Sequence, residues 1–564
     1  MFVAFEGIDG SGKTTVSNQV AERLRAAGLS VKHLRAEGRF VSAVAEAIRD
    51  LGRDSRNLAL TPEAEFLLYV ARDVQLIEEA LRPELGQYDI VLADRFLFTA
   101  QVLAEHGRRL SREFTEPVLR AAARGLSPDL VLLVDVDPVL ARARRKAYKL
   151  SVADKRPPSR KGLSGVGLQH RVRRGYLALA EADPERWLVL QNEAALEQTV
   201  ARATELIRAA KAQGARIAIT QDRARNPRAA ITSTPIGSTQ QALTAFLAWI
   251  DRRIEPEPRV AAYVLGGLFG AAVDGRRRSL AERVPEAMLA ALSGRVDEVS
   301  WEIRSSLRPT HTAAVAQTLS GIPNTDARAS SWRNELAEIA PQQVLVTLTR
   351  QDDEQAWTLR ERFFEDFPEL VVGSLSGLDS DRAWSLRDRW LKRRGEELQS
   401  SYEVARVACK SITHLSCERA WKIRKQARVV APVIALASLG SARDAESYRW
   451  RREALTRAPK VVMATLKNLS DEVAWELRAA AVSDCKEVID SVQNLDDPAA
   501  WQLREQAQDL WPSTVVKSLG VLADGERGAA LLRRQLERHP TNVSLLKHAA
   551  AVALGVHRVD AFEE

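Results

Sequence analysis

The sequence predicts an α/β domain, a five-stranded parallel sheet with helices on both faces, followed by an all-α helical-repeat solenoid. Three observations predict it. A glycine-rich turn lies between an apolar run and a helical segment at the start of the chain. Short apolar runs then alternate with helical patterns to about residue 210. From about residue 241 an aromatic–leucine–arginine pattern recurs about every 27 residues.

The first strand is read at Phe2–Glu6, and FEGIDGSGKTT at 5–15 follows from it. Gly7, Gly12, Lys13 and Thr14 fit G-x-x-x-x-G-K-[ST] in a strand–loop–helix setting. Such a loop turns its backbone N–H groups around phosphate oxygens, and the helix N-terminus adds partial positive charge. Gly7, Asp9, Gly10, Ser11, Gly12, Lys13, Thr14 and Thr15 form the expected nucleotide cradle, with Lys13 on the β/γ-phosphates and the Thr14 hydroxyl on Mg²⁺. Further strands are expected at Val31–Leu34, Asp89–Asp94, Leu130–Val136 and Trp187–Leu190. Strands separated by helices make a parallel sheet, whose ligand sits at the strands' carboxyl ends. The glycine loop, Asp94-Arg95 and Asp135/Asp137 all fall at such ends.

Residues 211–240 carry Pro, Gly, Ser and Thr without periodicity and read as a linker. Residues 241–564 repeat A-W-x-L-R, at Trp301, Trp357, Trp384, Trp421, Tyr448, Trp475 and Trp501, with a degenerate copy at Ala530-Leu532-Arg533. Pro368, Pro432, Pro459 and Pro512 stand at one offset from the aromatic, where Pro suits the first turn of a second helix. Two-helix units of about 27 residues that cannot bury their apolar faces alone stack into a HEAT-like α-solenoid. The recurring aromatic reads as inter-repeat core. The arginine after it reads as a cap or a partner for a neighbouring acidic turn; lined up on an open face, it would instead make a strip for an acidic partner.

At 564 residues, with 45% hydrophobic and 28% charged side chains, the chain is globular and too long for one core. Cys409, Cys417 and Cys485 form no C-x-x-C pair, which fits a reducing compartment. The N-terminus lacks the pattern of a signal peptide, and the longest apolar run, Val260–Val273, reads as one buried helix. A cytoplasmic protein without membrane attachment is expected. The net charge of +8 reads first as solvated arginine, with a polyanionic partner as the other reading.

Residues 1–210 resemble the thymidylate kinases, P-loop nucleoside monophosphate kinases, through FEGIDGSGKTT, Asp94–Phe96, LVLLVDVDPVLARAR at 131–145 and LQHRVRRGYLALA at 168–180. The resemblance implies MgATP-dependent phosphorylation of a nucleoside monophosphate, dTMP first. It implies catalytic roles for Lys13, Asp94, Arg95, Arg142 and Arg144, and a metal held by Thr14 and Asp94. Arg142, Arg144, Arg145, Lys146, Arg156, Arg160 and Lys161 would form a basic lid. The acceptor would be bound by Asp9, Arg35, Tyr69, Arg72, Asp73, Arg95 and Thr99, with Gly38 in the turn after the second strand. Where the family's base-binding helix reads F-x-x-x-R, this chain has Tyr69 in the stacking place, Asp73 in the arginine's place and Arg72 one step early. A carboxylate accepts where an arginine donates, so it favours an exocyclic amino group. The A-Y-Q element after the D-R-F segment is Val102-Leu103-Ala104.

Two readings follow. In one the chain is a kinase with a solenoid for partner binding or regulation, a protein being the first expectation and a nucleic acid the second. In the other the kinase-like domain is a nucleotide sensor that switches the solenoid.

Overall fold

The computed structural model describes residues 1–34, 42–152, 165–192, 196–225, 236–467 and 469–557. They fall into two compact units, one mainly of Met1–Tyr148 and Lys155–Thr232, the other mainly of Ser233–Glu564.

Strands β1 (Phe2–Glu6), β2 (Val31–His33), β3 (Ile90–Asp94), β4 (Leu130–Asp135) and β5 (Trp187–Gln191) build one parallel sheet in the order β2-β3-β1-β4-β5. β1, β3 and β4 are buried along their whole length, which is why they read as unbroken apolar runs. The register sets Phe5 beside Asp94, so the loop after β1 and the Asp94-Arg95 corner leave the sheet side by side. The first unit's helices are α1 (Lys13–Ala26), α2 (Ala43–Arg53), α3 (Pro62–Leu76), α4 (Phe98–Val102), α5 (Arg112–Ala123), α6 (Pro138–Val152), α7 (Gly165–Ala182), α8 (Leu196–Gln213) and α9 (Ala215–Arg225). The α3 start is dictated locally: the Thr61 hydroxyl accepts from Ala64 N and Pro62 takes the first turn.

α9 corrects the expected linker over 211–240. The chain turns at Gly214 (φ +92°), and α9 buries Ala218 and Ile219 in the sheet's core. Arg202 pairs with Asp222, and Arg223 donates to the Trp187 carbonyl. Few apolar residues and many arginines hid a helix that tertiary contacts hold.

The second unit is all helical. Asp297, Asp353, Asp444 and Asp471 cap the first helices of their pairs, and Pro341, Pro368, Pro432, Pro459 and Pro512 open second helices. Second helices of successive pairs stack on one another. The pair Ala327–Ala337 and Pro341–Thr347 escaped the sequence pattern because Ser330 stands in the aromatic's place and Trp332 in the leucine's. Val260–Val273 is not one helix: Pro258–Leu265 ends at Gly266, Gly267 and Gly270 adopt φ +86° and +112°, and Ala271–Arg283 follows. Arg533 is exposed and Gln535 takes the buried place, so the degenerate copy keeps the helix without its arginine. Helix Thr239–Ile254 packs on Val543–Ala553, and Lys547 Nζ donates to Gly266 O at 2.6 Å, so the array closes on itself. Among the described residues no helix is long and apolar enough to cross a membrane.

The recurring aromatics are inter-repeat core, apart from Trp475, which is half-buried. Trp357 is 4% exposed, donates its indole N–H to Asp352, and lies between the Arg360 and Arg382 guanidinium groups at 4.7 and 5.1 Å. The arginine three residues on is buried and caps helix ends, with no carboxylate partner. Arg360 Nε donates to Ser374 Oγ (3.0 Å) and Nη2 to Leu348 O (2.6 Å). Arg504 repeats this on Ser518 Oγ, Val492 O and Leu495 O. Arg304, Arg333, Arg387, Arg424, Arg451 and Arg478 make equivalent bonds to main-chain carbonyls. Burial pulls Arg304, Arg360 and Arg504 down to about 10. Residues 241–564 carry 45 basic and 45 acidic side chains, so the chain's net charge of +8 lies in residues 1–240. The burial and main-chain partners of the eight arginines overturn both the acidic-turn pairing and an exposed arginine strip for these positions.

Candidate functional site

α1 begins at Lys13 directly after the glycine loop, with no acidic residue in its first turn. Its first amides lack intrahelical partners and carry the positive end of the helix dipole, which favours phosphate. Gly7 (φ +147°) has no room for a side chain: a Cβ there would meet Val134 O at 2.5 Å. Lys13 is buried and reaches back across the loop, Nζ to Ile8 O at 3.3 Å. Thr14 Oγ1 donates to Asp94 Oδ2 at 2.5 Å, placing a hydroxyl and a carboxylate together at the loop's edge. Ser11 is buried and Thr15 exposed.

Arg95 follows β3 in the left-handed region (φ +85°), a strained backbone for a side-chain-bearing residue. Its surroundings hold it there. Nη1 donates to Gly7 O (3.1 Å), Thr99 Oγ1 (3.0 Å) and Tyr176 OH (3.3 Å), and Nη2 to Asp9 Oδ1 (2.5 Å). Beneath it Glu6 is fully buried and accepts from Phe96 N, Thr99 Oγ1 and Tyr176 OH, each at 2.8 Å. Burial pushes the Glu6 carboxyl up, while Arg95 and these donors pull it back. Burial works against the Arg95 charge, but Tyr176, Asp9, Glu6 and Asp94 more than offset it and hold the guanidinium charged.

Of the expected lid residues, Arg142, Arg144, Arg145 and Lys146 lie on helix α6. Arg144 Nη1 donates to Asn192 O (2.8 Å), and Asn192 Nδ2 donates to Ser11 O (2.7 Å), which ties α6 and β5 to the glycine loop. Arg142 is half-buried. Arg173 of α7 grips Asp135 at the end of β4 with two bonds of 2.7 Å.

On the opposite wall Arg72 Nε and Nη2 donate to Asp73 Oδ1 at 2.7 and 2.5 Å. Both line a cavity shared with Leu76, Asp94, Arg95 and Phe96. The Arg72 guanidinium lies 4.8 Å from the Tyr69 ring centroid, and Tyr69 is 8% exposed. One face of the Tyr69 ring, the residue expected to stack on the base, is therefore occupied by Arg72.

A thymidylate kinase family model matches residues 5–203. The thymidylate kinase of Pelobacter propionicus is 35% identical over 199 residues, which span 35% of this chain and 89% of that protein. That of Citrifermentans bemidjiense is 36% identical over 37% of this chain and 91% of its own length. That of Caldanaerobacter subterraneus is 34% identical over 36% of this chain and 94% of its own length. The chain belongs to the thymidylate kinase family. It is therefore a nucleoside monophosphate kinase by family, with a long all-helical region after the matched part.

Of the thymidylate kinase positions singled out in the sequence, Asp9, Lys13, Thr14, Asp94, Arg95 and Thr99 come together around the glycine loop. Arg35, Gly38, Arg156, Arg160 and Lys161 lie outside the described residues. Sequence reasoning missed Glu6, Tyr176 and Asn192. Glu6 and Tyr176 stand inside quoted motifs, FEG and RRGYLALA, yet only the fold shows that they meet beside Arg95. Asn192 carries no local signal.

Proposed function

We propose that this chain transfers the γ-phosphoryl group of ATP to dTMP, giving ADP and dTDP. The observation that carries the reading is Arg95, locked in a strained conformation between Asp9 and the Thr14–Asp94 pair at the end of the glycine loop. An acceptor phosphate oxygen attacks the γ-phosphorus while the bond to the β,γ-bridging oxygen breaks, so catalysis is positioning plus neutralisation of charge. The loop amides and Lys13 bind the donor phosphates. Arg95 holds the acceptor phosphate, Asp9 steers Arg95 and faces the acceptor sugar, and Arg142 and Arg144 approach the transferred group from α6. Thr14 and Asp94 offer the hydroxyl and carboxylate oxygens that suit Mg²⁺, an ion that completes its shell with phosphate oxygens and water. When bound it would neutralise charge on the β- and γ-phosphates. The names of the relatives support dTMP as acceptor.

The test is to incubate the full chain with MgATP and each nucleoside monophosphate and to assay diphosphates. Turnover of dTMP that falls about 10²–10³-fold in Lys13→Ala supports the reading. ATP binding with no turnover of any monophosphate overturns it in favour of a nucleotide-dependent scaffold. We read the helical unit as a protein-binding or regulatory module rather than a nucleic-acid one, because residues 241–564 carry as many acidic as basic side chains and eight of the arginines are buried. Free Cys409, Cys417 and Cys485 support a cytoplasmic setting.

A further inference from the structure

We propose that Asn192 is a positioning residue for the donor phosphates: its side chain sets the Ser11–Gly12 peptide so that the Gly12 N–H faces them. The inference deepens the donor half of the kinase reading and rests on it. Asn192 follows β5 directly and is 3% exposed. Each of its polar atoms is engaged. The main-chain N donates to Asp135 O (2.9 Å), and the main-chain O accepts from Arg144 Nη1 (2.8 Å). Oδ1 accepts from Thr199 Oγ1 (3.1 Å), and Nδ2 donates to Ser11 O (2.7 Å). The amide lies against the loop itself, for a Cβ on Gly12 would meet Nδ2 at 2.6 Å. A carbonyl only accepts, so the group facing Ser11 O must be the NH2, and Thr199 holds the other end of the amide in that sense.

Ser11 O and the Gly12 N–H belong to one peptide plane, and no cis peptide bond occurs among the described residues. In a trans plane the C=O and the N–H point opposite ways. Fixing the carbonyl on Asn192 therefore turns the N–H away from Asn192, toward the phosphates cradled at the start of α1. Gly12 does not fix this by itself. It stands at φ +91°, but glycine takes φ of either sign, so the peptide is free to turn over unless something holds it. Asn192 supplies the hold. Arg144 bonds to the main chain of residue 192, so a change of that side chain leaves the arginine's bond in place and reports on the loop.

The experiment measures ATP and ADP binding to the full-length protein by calorimetry, then the KM for dTMP, in Asn192→Leu, Asn192→Ala and Thr199→Val. Leucine keeps the volume of the amide without its donor. The expected result is ATP and ADP binding weaker by about tenfold in both Asn192 variants, with the KM for dTMP unchanged. Thr199→Val frees the amide to turn and should weaken ATP by about threefold; added to Asn192→Leu it should cost nothing more. Should the Asn192 variants fail to fold, Thr199→Val alone decides, by a selective loss of ATP affinity. A packing role predicts the reverse order, with Asn192→Leu near the unaltered protein and Asn192→Ala much worse, and that result overturns the proposal. Equal losses for ATP and dTMP, or additive losses in the double variant, overturn it too. Weakened ATP binding in a protein that turns over no monophosphate upholds the role of Asn192 and overturns the kinase reading alone.

Discussion

The two units use arginine in opposite ways. In the sheet unit Arg95 is a single guanidinium with Asp9 in direct contact and Tyr176, Glu6 and Asp94 around it, held charged on a strained backbone. In the helical unit eight guanidinium groups sit on unstrained helices, bond mainly to carbonyls and hydroxyls, and are pulled down by burial. Carboxylates preserve a charge for use on a ligand. Carbonyls tie the guanidinium to the fold instead. The residue type is uninformative until its acceptors are known, and a basic composition therefore says little about what a surface binds.

That contrast can be broken by experiment. Arg95→Lys keeps the charge but not the fork, and should cost about 10²-fold in kcat/KM with an unchanged melting temperature. Arg360→Ala should do the reverse. It leaves Leu348 O and Ser374 Oγ without their guanidinium, so the helical unit should lose about 3 kcal/mol in urea titration while turnover stays the same. A fall in turnover with Arg360→Ala, at temperatures where the chain is folded, would show that the units communicate.

Tyr176→Phe removes only the hydroxyl bonded to Glu6, Thr99 and Arg95, and should lower kcat/KM about tenfold, mostly through KM for the acceptor. A change in thermal stability with intact kinetics would demote it to packing. The smallest effect concerns His548, which burial, helped by Lys517 and Lys547 and opposed by Asp490, lowers from 6.5 to about 3. The folded state refuses a proton that the unfolded chain accepts, so stability is fully present above about pH 6.5 and declines as pH falls toward 3. Melting of the helical unit followed by circular dichroism should show that slope, and His548→Gln should flatten it.

The five strands, the glycine loop and the Asp94-Arg95 corner were legible because each is a local pattern: a buried apolar run, a turn that needs glycine, a charged pair at a strand end. The repeat was legible from its aromatics. What stayed hidden depends on partners distant in sequence. α9 looks like linker until Ala218 and Ile219 are seen in the core. The Arg72 guanidinium over the Tyr69 ring is a contact that spacing alone does not announce. Glu6 and Tyr176 lie 170 residues apart, and their hydrogen bond leaves no trace in spacing. The buried arginines were noticed as a column, but their acceptors are main-chain oxygens, which every residue has.

The contact between Thr239–Ile254 and Val543–Ala553 has a consequence for how such an array can change. An open stack can gain or lose a unit at either end, and it frays from its termini. Here both end helices are already occupied by each other. Adding or deleting one helix pair must alter the curvature of every remaining junction or pull the closing pair apart. The extra residues between Trp384 and Trp421, carried by helices Asp381–Arg394 and Tyr402–Ser411, are accommodated within a pair rather than as another pair. Closure makes the number of pairs a property of the whole unit, and its first step of unfolding an event in the middle of a circuit rather than at a loose end.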